Sequence, residues 1–410
     1  MPQNRVVAGL DIGSTKVAAI IGELTELGDV RITGIGEYPS NGLRKGIVVD
    51  IDGTARSIMQ AVEIAERMSG QKIVSVFTGV TGSHIYSINN KGVVAVGSKD
   101  GEISLGDVER VIAASKVITL PSDKQIIHVI PRQYVVDGYD GILDPVGMVG
   151  SRLEAEVSII VGSNASLQNI AKAVSRANLN VEGFILNALA SAEATLQIAE
   201  RDLASVVVDL GGGTTEVSIF DENGMWYTSI LPVGGSHVTS DLAVGLRIPL
   251  DQAERIKKEH GCVLKELVAG DEYISVSNIG GSGERKISKK NIASIIEPRM
   301  QEIFFLIKQE IKSSGFKGVI PAGVVFTGGA CCLDGFSELA AEELDMPVRI
   351  GYPCNISGMV DMASHPGYST GIGLVQYASR RMSPRGYAVS SESALHKVFR
   401  KVSSWFKDIF

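Results

Sequence analysis

The chain has no run of about 18 apolar residues, so no helix is expected to span a bilayer. Its first 30 residues lack a basic stretch followed by an apolar block, and no secretory leader is expected. Cysteine is scarce. Cys262, Cys331, Cys332 and Cys354 form no C-x-x-C pair and have no His at metal-ligand spacing. Free thiols in a reducing, cytoplasmic compartment are the simplest reading. Positive charge is not in surplus: the net of −7 argues against a general nucleic-acid binder. No G-x-x-x-x-G-K-[ST] occurs, and no G-x-G-x-x-G follows an early strand. A P-loop and a dinucleotide fingerprint are both excluded. No Ser–His–Asp set or paired acid/base set suggests other chemistry, and the six His are scattered.

What remains is an ordinary globular composition, 44% hydrophobic and 21% charged over 410 residues. Disorder of the whole chain is ruled out, and two to four domains are expected. The 46 glycines follow no collagen-like period, and many tight turns between strands account for them.

Two segments resemble each other. Residues 7–23 read VAGLDIGSTKVAAIIGE, and residues 206–222 read VVVDLGGGTTEVSIFDE. Each reads as strand, tight turn, strand, and the pair implies a duplicated architecture. The turns, Gly13-Ser14-Thr15-Lys16 and Gly211-Gly212-Gly213-Thr214-Thr215, are of phosphate size. Glycine lets backbone N–H groups approach a phosphate, hydroxyls add donors, and Lys16 adds a point charge. Asp11 and Asp209 end the two first strands. Two carboxylates facing a polyphosphate need a cation between them, and Mg²⁺ held through waters meets that need.

Between the copies, the spacing of apolar residues predicts helices over 55–69, 105–116, 166–179 and 188–201. Residues 73–82 read as a strand running into a turn, and 126–136 are β-rich. Residues 84–162 change character and read as a module inserted into the first half. In the second half, 235–260 are helical, 278–288 read as a Gly/Ser/charged loop, and 290–314 form a long amphipathic helix containing Pro298. Residues 323–329 read as a strand ending in a Gly pair, and 381–393 as a flexible linker.

Residues 394–410, ALHKVFRKVSSWFKDIF, place Leu395, Val398, Phe399, Val402, Trp405, Phe406, Ile409 and Phe410 on one helical stripe. Lys397, Arg400, Lys401 and Lys407 fall on or beside the other face. Residues 382–410 carry a net of +3, which leaves the body at −10. An aromatic face opposite a basic one describes a helix lying in a membrane interface, with the basic side on anionic lipid headgroups. A terminal helix docked on the protein's own core is the competing reading.

Together these motifs resemble the superfamily of actin, the heat-shock chaperones and the sugar kinases. GLDIGSTK and VVDLGGGTTEVSI resemble its two phosphate motifs, and GVVFTGGA at 323–330 its adenosine motif. The resemblance implies that Gly328, Gly329 and Ala330 lie against purine and ribose. It also implies that Glu254 and Lys257, in QAERIKKEHG, hold the ribose hydroxyls. A solvated i,i+3 ion pair is their plainer reading. The implied ligand is ATP with Mg²⁺.

A sharper resemblance, over nearly the whole chain, is to the bacterial cell-division FtsA family. It is carried by SNGLRKGIVVDID (40–52), HVIPRQYVVDG (128–138), DPVGMVGSRLEAE (144–156), LPVGGSHVTSDLA (231–243), IIEPRMQEI (295–303) and YSTGIGLVQYA (368–378). It implies an α/β, actin-like (ribonuclease H-like) duplicated ATPase core. An inserted subdomain 1C, residues 84–162, would replace actin subdomain 1B. Subdomain 1A would then comprise 1–83, 163–200 and a closing helix at 367–380. Subdomain 2A would comprise 201–230 and 301–366, and 2B 231–300.

The resemblance further implies an actin-like filament on the inner membrane face that tethers FtsZ and recruits later division proteins through 1C. The FtsZ contact is expected at Glu297, Arg299 and Glu302. The superfamily's hydrolytic members place a Glu or Gln near the attacking water. The matching segment here, ILNALASAE, has Ala188 instead. At most weak ATP hydrolysis and no dedicated catalytic residue are expected, with Glu193 structural. A pilus-assembly ATP-binder is the alternative, and a small-molecule kinase a more distant one. A chaperone would need a peptide-binding domain for which too few residues follow the core.

Overall fold

The computed structural model describes residues 6–25, 29–270, 272–277 and 284–382. Of the linker expected at 381–393, residues 381 and 382 end the helix Ser369–Met382, and the rest lies outside the described residues with the amphipathic stripe at 394–410.

Two sheets carry the core, and their topologies match. In the second, the meander Ser205–Leu210, Thr215–Asp221, Gly224–Leu231 runs antiparallel. The parallel strands Val324–Thr327 and Val348–Ile350 extend it from Ser205–Leu210. In the first, the meander Val6–Ile12, Lys16–Leu24, Val30–Pro39 is extended the same way by Ser75–Val80 and Asn180–Leu186. A sixth strand, Ile356–Gly358, pairs with Val30–Ile32 at the far edge. The central strands are buried on both faces: Ile20, Ile21, Val206 and Val208 are fully covered. Helices on both sides of each sheet require such continuous apolar runs. Each such side chain contributes roughly 1.5–3 kcal/mol by burial.

Helices cover these faces. Ile51–Ser69 starts at Asp50, whose carboxylate accepts from Asp52 N–H and Gly53 N–H, and ends at the left-handed Gly70. It begins four residues before the periodic pattern does, because the cap lies upstream of the apolar stripe. Asn187–Thr195 crosses Ser369–Met382 so closely that a Cβ at Gly373 would collide with Ala190 O. The segment expected as one helix over 188–201 is two, Asn187–Thr195 and Ile198–Asp202.

Residues 284–288, expected as loop, form a strand paired with Tyr273–Ser277, with Ile287 buried. A single apolar residue in a charged strand leaves too little pattern to read. The boundary expected at 300 falls inside the helix Lys289–Ser313, which takes Pro298 within its length. The chain also rejoins the first sheet at Ile356, ahead of the closing helix.

The inserted segment builds its own sheet from Tyr86–Ala95, Arg152–Ser163, Lys124–Val136 and Tyr139–Ile142, backed by the helix Leu105–Ser115. Its core contains Val111, Tyr134, Leu153 and Ile159. It holds both halves of the molecule. His128 Nε2 accepts from Leu186 N–H at 3.1 Å on the first half. Arg132 pairs with Asp221 and stacks over Trp226 at 4.2 Å on the second.

Candidate functional site

Both repeated hairpins close in the same way. Gly13 N–H donates to Lys16 O at 2.9 Å, and Gly211 N–H to Thr214 O at 3.0 Å. The two turns meet tip to tip. A Cβ at Gly213 would come within 2.5 Å of Ser14 Oγ, and one at Gly212 would collide with Thr15. The turns thus face each other directly between the two sheets. Thr215, expected with the phosphate residues, is fully buried, and its hydroxyl donates to Val233 O at 2.8 Å and braces the strand end. Lys16 Nζ pairs with Glu37 at 2.9 Å and lies 3.8 Å above the Tyr368 ring, whose hydroxyl also donates to Glu37.

Asp11, Asp209 and Glu216 gather at the cleft floor. Desolvation, with the charge of Asp209 second, pushes Asp11 up to about 7. Desolvation also raises Asp209, against a 2.7 Å hydrogen bond from Thr370 Oγ1 and the charge of Lys16. Glu216 is buried, its Oε2 has no partner, and desolvation plus the charges of Asp209 and Asp11 drive it far up. Burial and mutual repulsion thus favour the neutral acid at these groups in the metal-free protein. Among the described residues no group of three or more His, Cys, Asp or Glu is arranged to ligate a metal directly. Mg²⁺ keeps several waters, so carboxylates that do not ligate it directly could hold it only through them.

A second wall is built from three elements. The helix Gly235–Leu246 starts on the second phosphate turn: Gly235 N–H donates to Gly211 O at 2.9 Å and Ser236 N–H to Gly212 O at 2.8 Å. The helix Leu250–His260 brings Lys257, buried, to Glu254 Oε2 at 2.6 Å, Thr239 Oγ1 at 2.9 Å and Gly235 O at 3.2 Å. Burial lowers the Lys257 pKa, and Glu254 partly offsets this. The pair is therefore an inward network rather than a solvated one. A Cβ at Gly235 would lie 3.0 Å from Ala330 Cβ and 3.5 Å from Lys257 Nζ, so the Glu254/Lys257 helix and the Gly328–Ala330 turn converge there. Gly328, at φ 91°, is pressed against Leu210 O and Asp209 Oδ1, whereas Gly329 faces open space. Hydrogen bonds from Gly328 N–H and Thr327 Oγ1 to Pro366 O strap this turn to the turn at 365–368.

The sequence reading omitted Glu216, Gly234, Gly235 and Thr370 from the site. Only Glu216 carried a signal: it stands seven residues after Asp209, as Ala18 does after Asp11.

Two family descriptions match the chain. Residues 206–373 match "Cell division protein FtsA", and residues 82–161 match "SHS2 domain inserted in FTSA". The Pseudomonas aeruginosa cell division protein FtsA is 40% identical over 99% of this chain and 98% of its own length. The Neisseria meningitidis protein of the same name is 38% identical, over 100% and 99%.

The chain belongs to the FtsA family.

Its fold is also that of more distant proteins. A "PilM-PilN type IV pilus biogenesis complex" chain aligns at TM-score 0.65 and 15% identity, covering 91% of this chain and 98% of its own. MreB5 of Spiroplasma citri bound to ADP aligns at 0.57 and 13%, over 94% and 100%. A MamK double helical filament aligns at 0.51 and 11%, over 92% and 99%. The FtsA insertion accounts for the separate sheet described above.

Two further expectations concern FtsA-type residues. Ala188 is buried in the first turn of Asn187–Thr195, beside Asn187, whose side chain lies next to Glu216. Glu193 is bound to Arg201 and Arg380. On Lys289–Ser313, Arg299 pairs with Asp241 at 2.6 Å and with Glu302, and Glu297 accepts from Lys265 N–H at 3.0 Å. Arg299 therefore ties this helix to Gly235–Leu246, while Glu302 stays exposed.

Proposed function

We propose that this FtsA-family chain binds ATP with Mg²⁺ in the cleft and polymerises, actin-like, on the inner face of the cytoplasmic membrane. There it tethers the FtsZ ring and recruits later division proteins through the inserted subdomain. The observation that carries the nucleotide reading is the meeting of two phosphate-sized turns over three under-compensated carboxylates. Gly13, Ser14, Thr15, Lys16 and Gly211–Thr214 would take the phosphates. Asp11 and Asp209 would hold Mg²⁺ through water, and Glu254, Lys257 and Gly328–Ala330 the nucleoside. Mg²⁺ would neutralise the phosphates and the acidic floor together.

Membrane attachment is inferred from the stripe of Leu395, Val398, Phe399, Val402, Trp405, Phe406 and Ile409 opposite Lys397, Arg400 and Lys401. One short amphipathic helix binds weakly, and a filament would multiply it by avidity. No described helix is long and apolar enough to cross a membrane. The exposed edge around Glu302, with Glu297 and Arg299 behind it, is the FtsZ-facing patch in this reading. A pilus-type role has only the 15% likeness in its favour, against 40% identity over full length to a cell division protein.

The test is cosedimentation with anionic liposomes, ATP and Mg²⁺. It compares the full chain with one ending at residue 390, and electron microscopy inspects the pellets. Filament-coated lipid with the full chain alone supports the reading. Two soluble, monomeric proteins would overturn it.

A further inference from the structure

The cleft mouth carries chemistry that nucleotide binding does not use. Cys331 and Cys332 follow Ala330 in the helical turn Gly329–Cys332. Cys331 is buried, and its thiol donates to Gly328 O at 3.0 Å. Cys332 is exposed, with its Sγ 3.8 Å from His365 Nε2. The imidazole is set for this contact. Gly367 N–H donates to His365 Nδ1 at 3.0 Å, which leaves the ring proton on Nε2, facing the sulfur. The bond from Gly328 N–H to Pro366 O keeps the two turns together.

Other charges nearby are few. Lys16 acts favourably on Cys332 from the first hairpin, where it also serves Glu37 beside Tyr368. Asp209 acts on Cys331 from the second. The adjoining Cys331 sulfur, then the His365 N–H and the charge of Lys16, lower Cys332 against desolvation; with the Cys331 S–H turned to Gly328 O, the His365 N–H is the donor left facing the Cys332 sulfur. The remaining thiols differ. Cys262 donates to Leu264 O and Cys354 to Ala194 O, and burial pushes both up. An exposed sulfur among donors and positive charge is the setting of a reactive thiolate; Cys354 also has a donor in Asn355 and charges in Arg201 and Arg349, but it is half-buried and burial prevails.

We propose that Cys332 is a modification site for low-molecular-weight disulfides, and that its adduct and a bound nucleotide exclude one another at the cleft mouth. The second clause rests on the nucleotide reading above. In the step, the Cys332 thiolate attacks one sulfur of RSSR. A Cys332–SR bond forms, the RS–SR bond breaks, and RS⁻ leaves with the electron pair and takes a proton from water. A second RSH reverses it, releasing RSSR and the free thiol. The adduct would stand two residues from Ala330, against the wall assigned to the purine.

The full chain is treated with 2,2′-dithiodipyridine at pH 6.0 and 7.5, and each cysteine is quantified by peptide mapping. The rate at Cys332 is expected to change several-fold less than that of Cys354 over this range. Cys354, a protonated thiol losing tenfold per pH unit, slows about thirtyfold at the lower pH. His365→Gln steepens the Cys332 profile, and Cys332→Ser removes the fast reaction. A Cys332 profile as steep as that of Cys354 overturns the site.

Saturating ATP with Mg²⁺ is expected to slow labelling of Cys332 about tenfold or more by occupancy. Undiminished labelling, in protein that binds a fluorescent ATP analogue, overturns the exclusion. If no analogue binds, the nucleotide reading and the exclusion fail together, and the pH profile alone decides the thiolate.

Discussion

Glu216 stands opposite Asp209 across the second hairpin, in the register position that Ala18 holds opposite Asp11 in the first. Directly opposed residues on paired strands share a face, so the charge of Asp209 acts on Glu216 at close range and helps hold its proton. The duplicated core is therefore asymmetric at its centre, with two carboxylates on one hairpin and one on the other.

That crowding has a pH signature. Asp11 is raised from 3.8 to about 7 in the folded protein. Between about pH 4 and 7 the folded state keeps a proton that the unfolded chain releases. In nucleotide- and metal-free protein this contribution falls as pH rises through that window, by up to roughly 1.4 kcal/mol per pH unit for one proton. Asp11→Asn lacks the contribution. Thermal melts of both proteins from pH 4 to 7 check it, and a wild-type-minus-variant difference that does not vary with pH would refute it.

Neighbouring glycines should separate stability from binding. Gly328 combines φ 91° with a Cβ position 2.5 Å from Leu210 O, so Gly328→Ala should cost about 2–4 kcal/mol. Gly329 meets nothing within 4 Å, so Gly329→Ala should keep the melting temperature. Gly329→Asp should weaken ATP binding by crowding the purine wall. Denaturant melts and nucleotide titrations of the three variants distinguish these outcomes, and equal melting of Gly328→Ala and Gly329→Ala would contradict the geometry.

Arg132 and Asp221 form a largely buried pair between the inserted sheet and the second half. Arg132→Ala would leave Asp221 without its cation and should cost roughly 3–5 kcal/mol. Adding Asp221→Leu to it should recover part of the loss. A double-mutant cycle with no coupling energy would show that the pair contributes nothing.

The terminal stripe predicts that Trp405→Glu with Phe406→Glu abolishes liposome binding while ATP affinity stays within about twofold, because neither position belongs to the motifs assigned to the nucleotide. Flotation and nucleotide titration on the same preparation check both halves. Lipid binding that survives the double substitution would remove the interfacial-helix claim.

The repeated Asp-x-Gly turns were legible in the sequence because local chemistry dictates them: glycine at a tight reversal, between two apolar runs. The strand Ile356–Gly358 was not, since three residues without an apolar run acquire their pairing only from Val30–Ile32, more than 300 residues earlier. Glu216 escaped because a charged residue in an alternating strand looks solvent-facing, and groups distant in sequence, Asn187 and Thr81 among them, close over it. Lys257 was read as an ordinary helix-surface lysine or a ribose ligand. Its burial comes from Thr239 and Gly235 on a neighbouring helix, which no i,i+3 pattern reveals. Arg132 and Asp221 meet across 89 residues of chain.

The inserted sheet grips the first half at Leu186 through His128 and the second half through Arg132. A molecule split by a cleft ordinarily flexes about its floor alone. Here the inserted sheet bridges the two halves as well. Rotation of one half against the other would strain one of its two grips. The first grip lies one residue from Asn187, beside Glu216, so a shift at the acidic centre would be felt directly by the inserted sheet.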